Sequence, residues 1–94
     1  MTLTDIQKTK FLETSGKEYT GEPLKGRFST KRAYNDETWE NHSPWLFSYV
    51  IDPETGYLIC ELEHRMTNNR IFGWDKEGNE LPSGITDKYF KPHW

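Results

Sequence analysis

One cysteine, Cys60, stands in a chain of 94 residues. No disulfide can form within such a chain, and the paired CxxC ligands of a zinc knuckle are missing. GxSxG, HExxH, GxGxxG and the P-loop pattern are absent too, which removes the common sequence marks of acyl transfer, zinc proteolysis and nucleotide binding. No stretch approaches the ~20 apolar residues of a membrane span. The opening "MTLTDIQKTK" lacks the apolar core of a signal peptide. A cytoplasmic protein without membrane contact is the expectation. A strong excess of one charge is also missing: 12 Lys and Arg stand against 15 Asp and Glu, for a net −3. That excludes a surface uniformly attractive to phosphate, yet leaves room for a local basic stripe. Without internal repeats or a low-complexity linker, residues 1–94 read as a single small domain.

What the chain does have is aromatic side chains. They make up 15% of residues, against 33% for all hydrophobic types. Trp, Tyr and Phe must therefore supply much of the buried area, and they let a chain of mean hydropathy −0.94 offset the entropy of ordering.

Hydrophobic patterning and turn chemistry point to a mainly β fold, with α+β as the alternative: a small antiparallel meander over residues 45–81. "WLFSYVI", "DPETG" and "YLICELEHRM" read as strand, turn and strand, with Gly56 in the left-handed region. If Asp52 faces Tyr57, then Ile51, Tyr49, Phe47 and Trp45 lie opposite Leu58, Cys60, Leu62 and His64 on one core face. A slip by one residue would bury the glutamates instead. "PLKGRF" suggests an extra short strand near residues 24–28. Short helical segments are expected at both ends. Thr4 and Gln7 form a capping box and Gly16 suits a helix end, although Ile6, Phe11 and Leu12 are a thin apolar set and "TKFLET" could be a strand. "STKRAYNDETWENHSP" reads as a loop or broken helix. "DKEGN" reads as a turn with Gly78 left-handed, "ELP" as a short edge strand, and a last helical turn would begin at Thr86 or Asp87.

The stretch "ELEHRMTNNRIFGW" raises a register question. A two-residue Asn68-Asn69 turn would send Phe72 and Trp74 to the outside. A three-residue loop of Thr67, Asn68 and Asn69, with Asn69 left-handed, would pair Met66 with Arg70. Phe72 and Trp74 then join the core beside His64 and Leu62. Burying a Trp and a Phe is worth more than burying one Ile, so the three-residue loop is favoured.

Candidate chemistry is sparse. Cys60 and His64 share a strand face at about 13 Å by strand rise, too far to chelate one metal. A buried thiol and a hydrogen-bonded histidine are the plainer account, even with His42 and His93 elsewhere in the chain. Glu61 and Glu63, two apart on a strand, read as solvation rather than an acid–base pair. The expectation is a non-enzymatic protein with no cofactor and no metal. Its outer sheet face would carry Leu46, Val50 and Ile59 beside Glu61 and Glu63, with Arg65, Asn68, Asn69 and Arg70 at the hairpin tip. These nine residues form the candidate protein-binding site, suited to a basic partner surface. The apolar corner would be covered by the N-terminal segment, or else by a partner or a second copy in a homodimer. Standalone domains of this kind are often inhibitors, immunity proteins or adaptors of bacteria or phages. The alternative is a nucleic-acid-binding module using Lys25, Arg27, Lys31 and Arg32 beside Phe28 and Tyr34, with Arg65 and Arg70 near the tip.

Overall fold

The computed structural model describes residues 3–21, 25–30, 45–63 and 69–90. Strands β1 (Lys25–Thr30), β2 (Trp45–Ile51), β3 (Leu58–Glu63) and β4 (Asn69–Trp74) form one antiparallel sheet in the order β1-β2-β3-β4. Helix α1 (Asp5–Ser15) precedes the sheet and the single turn α2 (Ser83–Thr86) follows it. The fold is the expected meander with short terminal helices.

The first turn of the meander sets its register. Asp52 N–H donates to the Tyr57 carbonyl at 3.0 Å and Gly56 N–H to the Asp52 carbonyl at 2.8 Å. Gly56 sits at φ 78°, where a side chain would be strained. Ile51 therefore pairs with Leu58, Tyr49 with Cys60 and Phe47 with Leu62. All six are buried on one face, called inner here. Trp74 joins them and Phe72 packs against them half-buried, their rings stacked with centroids 6.1 Å apart.

The second hairpin keeps the expected faces but not the expected register. Leu62, not Met66, is the partner of Arg70, and Glu63 pairs with Asn69. Trp74 thus lies beside Leu58 and Phe72 beside Cys60, rather than beside Leu62 and His64. Asn69 is a strand residue, and among the described residues positive φ occurs only at glycines. A shift of four residues preserves the inward and outward alternation, so both registers bury the same side chains. What the observed register adds is a complete ladder: all six residues of β3 pair with β4. The three-residue loop would have left the Leu58 end of β3 without a neighbour. His64, Arg65, Met66, Thr67 and Asn68 lie outside the described residues, as do the hairpin-tip readings built on them.

Residues 5–15 are helix, not strand. Thr4 Oγ1 accepts from Gln7 N–H at 3.3 Å and Gln7 Oε1 accepts from Thr4 N–H at 3.0 Å, the reciprocal capping box. Gly16, at φ 78°, closes the other end by donating to the Leu12 carbonyl. The buried side of this segment is Leu3, Gln7, Phe11 and Ser15, one residue every four. Two of these are polar, which is why the apolar set looked thin. Ser15 satisfies itself by donating to the Phe11 carbonyl at 2.7 Å. Ile6 and Leu12 remain 50% and 38% exposed.

Phe11 fixes which face α1 covers. Its ring meets Phe47 at 5.2 Å, Tyr49 at 4.9 Å and Tyr19 at 5.4 Å, all edge-on, as aromatic quadrupoles prefer. The N-terminal segment therefore closes the inner face. It does not cover the outer corner of Leu46, Val50 and Ile59, contrary to the expectation from sequence. The inner face carried the larger apolar area and took the helix.

The C-terminal segment covers one end of the outer face instead, around Ile59 and Gly73. A side-chain carbon placed on Gly73 would lie 2.6 Å from the Thr86 methyl, 2.9 Å from Ile59 Cδ1 and 3.2 Å from Leu81 Cδ1. Gly73 thus opens a trough into which residues 81–86 settle. Helix α2 begins directly after Pro82, three or four residues before the expected start at Thr86 or Asp87, and "ELP" contributes a bridge between Trp74 and Glu80.

Candidate protein-binding face

The register gathers residues that sequence reading had assigned to two separate sites. Lys25 pairs with Val50, Arg27 with Ser48 and Ser29 with Leu46. Val50 pairs in turn with Ile59, Ser48 with Glu61 and Leu46 with Glu63. Alternation places all of these positions on the outer face. Basic positions on β1 therefore run alongside Leu46, Ser48 and Val50 on β2, with the glutamates of β3 beyond. Ile71, opposite Glu61, extends the same surface onto β4.

Burial divides the candidate residues. Leu46, Val50 and Glu63 are half-buried, as are Ser48 and Ile71. Ile59 is fully buried and Glu61 is 7% exposed, so neither is the open contact residue that the sequence suggested. For Ile59 the reason is the C-terminal segment over Gly73. Arg70 is exposed but pairs with Leu62, which assigns it to the inner-face edge, away from Glu61 and Glu63. Asn69 occupies an outer-face position opposite Glu63. Arg65 and Asn68 lie outside the described residues, and so do Lys31 and Arg32 from the nucleic-acid alternative.

Cys60 is fully buried on the inner face, and burial pushes its thiol well above the usual cysteine value. A nucleophilic thiolate requires the opposite setting. Among the described residues, no three His, Cys, Asp or Glu side chains stand close enough to hold a metal ion. No described helix is long and apolar enough to cross a membrane.

Sequence reading missed the contacts of four polar residues at the turn end of the sheet, Thr4, Gln7, Asp52 and Tyr89. Gln7 Nε2 donates to the carbonyls of Gly56 at 2.8 Å, Asp75 at 3.1 Å and Trp74 at 3.5 Å. Thr4 Oγ1 adds a bond to the Lys76 carbonyl at 2.8 Å. The Tyr89 hydroxyl donates to Asp52 Oδ2. That bond, followed by the Glu54 amide, holds the Asp52 carboxyl below its ordinary 3.8. Reciprocally, Tyr89 is pushed from 10.0 up to about 12. Only the capping box hinted at Gln7, and nothing in the spacing marked Asp52 and Tyr89 as partners. Set against family models, curated proteins and solved structures, the chain matches none.

Proposed function

We propose that this chain is a small non-enzymatic protein-binding module, cytoplasmic in its setting, that engages a partner with the outer face of its sheet. The observation that carries the reading is the register. It sets basic positions Lys25 and Arg27 and acidic Glu63 around half-buried Leu46, Val50 and Ile71 on one surface. Protein interfaces combine apolar contact with charges of both signs. A strand of nucleic acid favours a groove of one sign, and Glu63 opposes it here. A role as an inhibitor, immunity protein or adaptor suits a domain that acts by occupying a surface.

Leu46→Asp places a charge on this face away from α2 and tests the reading. Affinity capture from lysate should retain a protein after nuclease treatment, and the variant should lose it at least about tenfold while keeping the parent circular dichroism spectrum. A catch that nuclease abolishes would favour the nucleic-acid alternative. A catch that the folded variant keeps would move the interface elsewhere.

A further inference from the structure

We propose that residues 81–90 form a releasable strap over the Ile59 and Gly73 end of the outer face, with the Tyr89-to-Asp52 hydrogen bond as its clasp. The strap regulates access to the surface assigned above, and in that respect it rests on the protein-binding reading.

The fastening is slight for a segment that covers a core residue. Helix α2 has four residues, too few to be stable alone, and Pro82 at its N-cap offers no side-chain acceptor. Thr86 is the residue that this helix buries. Among the described residues, Leu81 N–H bonds the Gly73 carbonyl at 2.7 Å, and the Tyr89 hydroxyl meets the first turn at Asp52 and Thr55. A one-turn helix joined to a sheet by isolated bonds occupies the low-stability end of a structure and opens without global unfolding.

The division of labour at Asp52 allows that opening. Its Oδ1 accepts from the Glu54 and Thr55 amides at 2.8 and 3.4 Å and so maintains the turn. Its Oδ2 receives Tyr89. Tyr89 can depart while the turn stays intact. Leu81 and Thr86 would then leave the trough and uncover Ile59, continuous with Val50, its neighbour on β2. A partner side chain that fills the trough competes with the strap for one apolar site, so release strengthens binding.

Amide hydrogen exchange on Tyr89→Phe reads the strap with no partner present. The amides of Leu81, Ile85, Thr86 and Asp87 should exchange at least about tenfold faster, while those of Glu54, Gly56 and strand β3 keep parent rates. Unchanged exchange over residues 81–87 would overturn the strap. So would an equal acceleration in β3, since that means general destabilisation. In the capture assay, the same variant should bind its protein at least about threefold more tightly. Parent-like or weaker capture would remove the regulatory role even if the strap opens. Absence of any captured protein would sink the protein-binding reading and its regulation together, leaving exchange to decide the strap alone.

Discussion

The two turns at one end of the sheet are built alike and anchored differently. Asp52 opens the first and Asp75 the second, and each uses Oδ1 to receive amides two and three or four residues on. Each turn ends near a left-handed glycine, Gly56 or Gly78. At Asp75 the second oxygen is taken by Asn79 Nδ2 at 3.1 Å, inside the turn itself. At Asp52 it is taken by Tyr89, 37 residues away. The carboxylate of the second turn is satisfied within the turn, whereas that of the first is a docking point. Similar sequence signals therefore give one turn that ends a hairpin and one that also holds the C-terminal segment.

The largest effect on the turns is expected from the core beneath them. Trp74 immediately precedes the second turn and is 8% exposed beside Leu58. Trp74→Ala should cost about 3–5 kcal/mol in denaturant unfolding, the range for deleting a buried large aromatic. A loss below about 1 kcal/mol would mean that the ring is not part of the core.

Next comes the side chain shared by both turns. Gln7→Ala removes the donor to the Gly56 carbonyl in the buried interior and one of the two donors to Asp75, which keeps the Gly78 amide, and should cost about 2 kcal/mol. Exchange should rise in both turns together. If it rises in one alone, Gln7 does not join them.

The smallest effect separates the turns by pH. Tyr89→Phe should cost about 1 kcal/mol at neutral pH, the scale of one partly exposed hydrogen bond. Asp52 is depressed in the folded state, so its contribution is complete above its ordinary 3.8 and fades as pH falls through the lower folded value. Tyr89 is raised, so its contribution is complete below 10.0 and is lost as pH climbs through about 12. Stability measured from pH 2 to 12 should show a smaller alkaline loss in the variant than in the parent, and the loss that remains belongs to buried Cys60, whose thiol is also raised. The acid loss should shrink without vanishing, because Asp75 is also depressed, chiefly by the Asn79 amide. An alkaline loss left unchanged by Tyr89→Phe would assign the whole limb to other groups.

Legibility followed the range of each interaction. The hairpin of β2 and β3 could be read because "DPETG" and strict alternation constrain the same register. The hairpin of β3 and β4 gave only its faces, since a four-residue shift changes no side chain's direction and backbone pairing had to decide. For α1, the capping box announced the helix, but Gln7 and Ser15 hid its buried side. The candidate face could be assembled only in part. Lys25 and Arg27 join Leu46, Val50 and Glu63 through strand order, which spacing does not encode. The burial of Ile59 depends on Gly73 having no side chain, a fact with meaning only once residues 81–86 are in place.

Because spatial order follows chain order in the sheet, every strand finds its partner in the strand next to it along the chain. Such a sheet can grow by successive short closures, each with a modest entropic cost. Docking of α1 is different: Gln7 and Gly56 lie 49 positions apart, and Thr4 and Lys76 lie 72 apart. The helix is therefore expected to seat after the folding barrier and to act as a brake on unfolding. In stopped-flow kinetics, Gln7→Ala should accelerate unfolding and leave the folding rate nearly unchanged. An equal slowing of folding would place the helix in the nucleus instead.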